Sequence, residues 1–394
     1  MMKDRIKALA TQIYGKTVAQ RRHLHQYPEL SFEEYETSAF IKAELDELSV
    51  PYVSMANTGL VAHIIGERPS DKVIALRADM DALPITEMPG REYGSKKPGV
   101  MHACGHDVHT ASLLGTAHIL QSLKAEFGGT VKLIFQPGEE RLPGGASLMI
   151  KEGVLQNPVP QAVIGQHVMP LIPVGKVGFR AGKYMASTDE LYVTVRGKGG
   201  HGAQPQQNID PVVITAHIIT ALQQIVSRGA DPKMPTVLSF GKVIANGATN
   251  IIPDEVYLEG TFRTFDEDWR KEAHTRMKKM AEGIAESMGA ACDFEVRVGY
   301  PFLTNEEELT GRVRGYAGEF LGSENVVDLD IWMAGEDFAY YSQASAACFY
   351  RLGTGNAQKG ITSAVHTPKF DIDEHALALS TGLMAYIALR QLGN

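Results

Sequence analysis

Two adjacent carboxylates, Glu139 and Glu140, close the stretch Leu133-Ile134-Phe135-Gln136-Pro137-Gly138-Glu139-Glu140. Like charges on one turn repel, so a fold that keeps both beside a buried strand end has reason to place a cation there. One carboxylate can then bind the metal while its neighbour moves protons. Upstream lies His102-Ala103-Cys104-Gly105-His106-Asp107-Val108-His109, and downstream lie Gln166-His167 and Val365-His366-Thr367-Pro368. Carboxylate, thiol and imidazoles together form the usual ligand set of a transition metal. Cys104 and His106 are two apart, so in an extended chain they face one side with His102, and Gly105 permits a tight backbone between them. Taken singly, each group has a plainer reading. Pro-Gly-Glu-Glu is a common solvated turn, Cys104 a small buried apolar residue, and any one histidine a core or capping group. His167 and His366 gain weight only as members of the set.

The elements that must carry these residues alternate in type. Residues 4–25 read as a helix, and Ser31 reads as the cap of a second one running to about Leu48, with Glu34 at its third position. Val73–Leu76, Val131–Phe135 and 162–164 are short apolar runs typical of strands buried on both faces, with a helix from Thr110 to about Lys124 between them. This predicts an α/β catalytic domain, a mostly parallel sheet with helices on both faces. Each strand leads into candidate chemistry: Val73–Leu76 into Asp79 and Asp81, Val131–Phe135 into Glu139 and Glu140, 162–164 into His167, and 348–352 into the loop with His366. Ligand sites of open α/β sheets lie at the carboxyl ends of the strands.

From about residue 187 the pattern changes. Leu191, Val193 and Val195 alternate with Tyr192, Thr194 and Arg196, as in a half-buried strand. A helix follows from Asp210 with Pro211 in its first turn, then strands at 236–243 and 255–265, a helix at 266–287 and a strand at 292–298. The order β-α-β-β-α-β is that of a small ferredoxin-like α+β sandwich. It predicts residues 187–298 as a domain inserted into a catalytic domain of 1–186 and 299–394.

Composition narrows the partners. The chain has 394 residues and a formal net charge of −8, with a pI near 5.9. An acidic surface attracts neither nucleic acid nor an anionic membrane. No apolar run reaches signal-peptide or bilayer length, and Cys104, Cys292 and Cys348 are too few and too odd in number for a disulfide framework. The expectation is a cytoplasmic protein.

His-Ala-Cys-Gly-His-Asp, Phe-Gln-Pro-Gly-Glu-Glu, Gln-His-Val, Gly-Lys-Gly-Gly-His-Gly and Ala-Gly-Glu-Asp-Phe, in that order, resemble the metal-dependent M20 peptidase family. The subgroup is that of hippurate hydrolases, N-acyl-amino-acid deacetylases and auxin-conjugate hydrolases. The resemblance runs from Arg22-His23-Leu24-His25 to His366-Thr367-Pro368. It implies two divalent ions per subunit, Zn²⁺ or Mn²⁺ with Co²⁺ as a further option, held by Cys104, His106, Glu140, His167 and His366, with Cys104 bridging. It implies Glu139 as general base and Asp81 as the carboxylate that orients a ligand. His201, in the glycine-rich loop, and Asn250 would polarise the substrate carbonyl, and Arg263 would grip a substrate carboxylate. Arg263 reads equally as a solvated strand residue in a salt bridge. A homodimer through the inserted lid is implied, because positions like His201 commonly reach a neighbouring subunit's site. One departure stands out: many relatives carry a second histidine where this chain has Gln206, which cannot take up a proton near neutral pH.

The implied reaction is hydrolysis of the amide of an N-acyl-L-amino acid. Three alternatives stay open: a dipeptidase or other peptidase with the same metals, a thiol hydrolase built on Cys104, and a metal-binding protein without catalysis.

Overall fold

The structure, a computed structural model, describes residues 2–393. The chain forms two compact units. One takes the chain up to Tyr184, Thr304–Asp330 and everything from Asp337 on; the other takes Met185–Leu303 and Ile331–Glu336.

The first unit is built on an eight-stranded sheet. Its order from edge to edge is Tyr52–Met55, Gly59–Ile65, Gly128–Gln136, Arg68–Asp79, Val163–Pro173, Ala347–Gly355, Val177–Phe179 and Val326–Asp328. The four central strands run parallel, with Leu76 level with Leu133 and Ile164, and Ile164 level with Cys348. Their carboxyl ends therefore open on one edge. Successive residues of a strand point to opposite faces, yet 347–355 is buried throughout and 128–136 nearly so, so both faces are covered. Helices His106–Ser122 and His375–Gln391 pack on these strands and on each other, and close the main core. The expected α/β class holds, with antiparallel strands added toward both edges. Tyr52–Met55, short and largely open to solvent, and Gly59–Ile65, mostly buried, are the antiparallel strands of one edge that the sequence expectations do not include.

Local expectations need three corrections. The first helix breaks at Ile13 into Met2–Gln12 and Tyr14–Gln26. Ser31 caps nothing: the next helix is Tyr35–Glu47, Glu34 stands at its cap position, and both side chains are engaged elsewhere. The central helix begins at His106 rather than Thr110, because Gly105, at φ 84°, turns the chain into it. A Cβ at Gly105 would lie 2.5 Å from the Val168 side chain, so no larger residue fits that turn.

The second unit has its own core and an antiparallel sheet in the order Val237–Ile244, Glu255–Arg263, Asp189–Arg196, Ala291–Val298. This is the ferredoxin-like arrangement. Asp210 and Asp266 cap its helices Pro211–Gln224 and Glu267–Ser287 by accepting backbone N–H bonds. The longer helix buries Arg270, Ala273, Met277, Ala281 and Ala285, a stripe at helical spacing. No helix among the described residues is long and apolar enough to cross a membrane.

Candidate metal centre

The parallel strand ends and the start of the central helix bring Cys104, His106, Glu139, Glu140, His167 and His366 to one place. Two groups of three have ligand atoms within 4.8 Å of one another, Cys104 with His106 and His167, and Cys104 with Glu140 and His366. Cys104 is common to both. Its Sγ lies 3.3 Å from His167 Nε2 and 3.2 Å from His366 Nε2. Glu140 Oε1 lies 3.2 Å from His366 Nε2 and 3.9 Å from His106 Nε2. Glu139 joins His106 and Glu140 in a third such group. His366 sits in the left-handed backbone region at φ 61°, and its N–H donates to Ala103 O at 2.8 Å.

Hydrogen bonds decide which ring nitrogen faces inward. His106 Nδ1 donates to Asp81 Oδ1 at 3.1 Å, and His167 Nδ1 donates to Val168 O at 2.8 Å. In both rings Nδ1 is thereby committed and Nε2 is the atom turned to the cluster; a metal would take the Nε2 lone pair, displacing on His106 the proton that the surrounding carboxylates otherwise hold there. Asp81 does more than orient His106: its Oδ2 accepts from Ser31 Oγ at 2.6 Å and from the Glu140 N–H at 2.9 Å. One buried carboxylate thus fixes a ring and a backbone turn that both lead to candidate ligands.

Charge tells the same story. Burial and the carboxylates of Glu140, Glu139 and Asp79 push the Cys104 thiol well above its ordinary range. Burial would lower His106, but Asp79, Asp81 and Glu140 hold it up to about 10. Burial keeps His167 neutral, well below the usual imidazole range. His106 Nε2 and Glu140 Oε1 are buried and make no hydrogen bond. Acid groups, a thiol, imidazoles and two buried polar atoms without partners make a donor set that divalent cations fit. The same thiol is poorly placed as a nucleophile, since the thiolate is the reactive form.

Two other histidines lie near the cluster, and His109 forms a further group of three with Asp79 and His106. His109 donates from Nδ1 to Asp79 Oδ1 at 2.5 Å and accepts the Val168 N–H on Nε2 at 2.9 Å, so both its nitrogens are used. His102 is buried with neither nitrogen bonded, and its ring lies 6.4 Å from that of His25. Sequence reasoning also missed the support beneath the site. Arg77, buried within its strand, donates to Gln136 Oε1 at 2.9 Å, Asp79 Oδ2 at 2.5 Å and Asp337 Oδ1 at 2.7 Å. A charged residue directly after the apolar run Val73–Leu76 was the available signal.

His201, Asn250 and Arg263 belong to the second unit. His201 pairs with Ile251 across a two-residue ladder, and the Gly202 N–H donates to Asn250 O at 2.9 Å, so His201 and Asn250 are neighbours. His201 is exposed, and its Nδ1 accepts the Ala203 N–H at 3.1 Å, which leaves the proton on Nε2. Arg263 is half-buried and donates from Nη1 to Met333 O at 2.7 Å. Among the described residues no carboxylate pairs with it, and burial alone bears on its charge, so the salt-bridge reading of Arg263 finds no partner. Gln206 lies exposed in the short turn Pro205–Gln207.

Residues 75–390 match the family described as peptidase family M20/M25/M40. An N-acyl-L-amino acid amidohydrolase of Geobacillus stearothermophilus is 44% identical over 313 residues, 78% of this chain and 83% of that protein. Thermostable carboxypeptidase 1 of Saccharolobus solfataricus is 37% identical over 391 residues, covering 98% of both chains. Among solved structures, a Bacillus subtilis protein described as a dinuclear metal-binding peptidase of the M20 family superposes with a TM-score of 0.82 at 36% identity, over 97% of this chain and 99% of that one.

Proposed function

This chain belongs to peptidase family M20/M25/M40 and is a hydrolytic enzyme, and we propose that it cleaves the amide bond of N-acyl-L-amino acids to a carboxylic acid and a free amino acid. The observation that carries the reading is the convergence of Cys104, His106, Glu140, His167 and His366, with Cys104 shared between two groups of ligand atoms and Glu139 beside them. These five residues would hold two divalent ions, with the Cys104 thiolate between them. Zn²⁺ suits the thiolate and Mn²⁺ the carboxylate, with Co²⁺ between the two in preference. Such ions, when bound, lower the pKa of water towards neutrality and polarise a carbonyl.

The remaining chemistry falls to the protein. Glu139 takes the proton of the attacking water and returns it to the leaving amine nitrogen. His201, with its proton on Nε2, donates to the developing oxyanion, a contribution typically worth about 3–4 kcal/mol per well-aimed donor. Asn250 stands beside His201 and shares this task. Arg263, half-buried and lacking an anionic partner, offers a fork for the substrate's α-carboxylate. The exposure of His201 suits a role in a partner subunit's site, and hence a homodimer through the inserted unit acting as lid. Three free cysteines suit a reducing compartment, the cytoplasm.

The test is elemental analysis of purified protein together with a panel of N-acetyl-L-amino acids, the corresponding amino-acid amides lacking the α-carboxylate, and dipeptides. Turnover confined to N-acyl amino acids with a free carboxylate supports the proposal. Faster cleavage of dipeptides or of C-terminal residues transfers it to a peptidase, the second reading, which the carboxypeptidase relative favours.

A further inference from the structure

The turn from Pro137 to Glu140 carries the proposed base and one proposed ligand, yet it belongs to no helix or strand. The Gly145 N–H donates to Gly138 O at 3.0 Å and the Asp337 N–H to Glu139 Oε1 at 3.4 Å, and a further hold comes from residues 31–34, more than a hundred positions away in sequence. Glu34 is fully buried. Its Oε1 accepts the Gly138 N–H at 2.8 Å and the Phe32 N–H at 2.9 Å, and its Oε2 accepts from Thr58 Oγ at 2.6 Å. Gly138 has φ 57°, and a Cβ there would lie 2.3 Å from the Phe32 ring. The ring is therefore seated flush on the turn's backbone. Phe32 is itself left-handed at φ 68°, a conformation a bulky residue seldom adopts, and its N–H is one of the two that Glu34 takes up. From the same stretch Ser31 Oγ donates to Asp81 Oδ2, the oxygen that also accepts the Glu140 N–H. Glu139 is thus flanked by two anchored backbone amides.

A buried carboxyl is an unfavourable way to tie down an ordinary loop, because it must be desolvated and Glu34 has no cationic partner among the described residues. Such groups persist where position matters. We propose that Glu34 is a positioning residue of the active site: by holding the Gly138 N–H, with Phe32 as a backstop, it sets where the Glu139 carboxylate stands. The inference rests on the reading of Glu139 as the base. A displacement of about 1 Å at a reacting group can reduce turnover by about a hundredfold.

Full-length, metal-loaded Glu34→Ala and Glu34→Gln are compared with the parent by hydrogen exchange of the peptide covering Gly138–Arg141, by metal content and by kinetics on N-acetyl-L-amino acids. In Glu34→Ala, exchange at Gly138–Arg141 accelerates at least about tenfold, kcat falls about 10–100-fold, KM stays within about twofold and metal content is unchanged. In Glu34→Gln, whose amide oxygen still accepts the Gly138 N–H, protection returns with most of the turnover. Parent-like exchange in Glu34→Ala, or a kcat within about twofold of the parent, overturns the proposal. Should Glu34→Ala fail to fold, Thr58→Val loosens the same carboxyl more gently; it should shift exchange and kcat in the same directions by about threefold, and no shift in either overturns the proposal. If the parent hydrolyses no N-acyl amino acid, the functional reading fails, while the exchange comparison still decides whether Glu34 holds the turn.

Discussion

Asp81→Asn is the sharpest test of how the metal centre is held. The carboxylate makes three contacts, all as acceptor: His106 Nδ1 at 3.1 Å on one oxygen, Ser31 Oγ at 2.6 Å and the Glu140 N–H at 2.9 Å on the other. An amide has one acceptor oxygen and one donor nitrogen. If the oxygen faces Ser31 and Glu140, the NH₂ meets the His106 N–H, and the ring must move its proton to Nε2, where a ligand needs a lone pair. If the oxygen faces His106, the NH₂ opposes the Glu140 N–H and pushes away the turn that carries Glu140. Either orientation strikes a proposed ligand. Loss of such a supporting acceptor typically lowers metal affinity about 10–100-fold, or about 1.4–2.7 kcal/mol. The assay is Zn²⁺ titration of stripped protein in competition with a chromogenic chelator, with elemental analysis after dialysis. Parent affinity in Asp81→Asn, with a folded protein, would refute the claim that this carboxylate sets the His106 tautomer.

Further outcomes follow from the same geometry. Glu139→Gln should retain bound metal and lose about 10²–10⁴-fold in kcat, read by stopped assay and metal analysis; a parent-like rate removes Glu139 from the mechanism. Cys104→Ala should lower metal content and activity together, because Cys104 is the residue common to both ligand groups; two ions retained at parent affinity would end its bridging role. Lys132 donates to the carbonyls of Val154, Gln156 and Pro158 at 2.7, 2.7 and 2.8 Å, so Lys132→Met should destabilise by at least about 1–3 kcal/mol, visible as a lower melting temperature. Burial would raise Glu87, but His25, the Ser95 N–H and Arg91 hold it at about 2. A depressed carboxyl contributes stability that is present above its unfolded value of 4.5 and is lost as pH falls through about 2, so Glu87→Gln should flatten the fall in melting temperature across that window. An unchanged slope would show that Glu87 takes no part in it.

The sequence by itself determined the architecture and the chemical inventory. Apolar runs such as Val131–Phe135 make strands buried on both faces wherever they lie, and Asp210 with Pro211 starts a helix from local chemistry alone. Adjacent carboxylates beside a cysteine and histidines name the donor types without any coordinates. The tertiary structure decided which of them meet. His102, His106 and His109 look alike in the sequence, but only His106 turns a free Nε2 to Cys104 and Glu140, because Asp81, from 25 positions upstream, takes its other nitrogen. His109 is used up by Asp79 and the Val168 N–H, and His366 reaches Cys104 across 262 residues. Ser31 has the look of a helix cap and instead serves Asp81. Periodicity and capping are properties of neighbours along the chain. The direction of a ring nitrogen depends on an acceptor delivered from a distant strand end, and only the packed sheet supplies it.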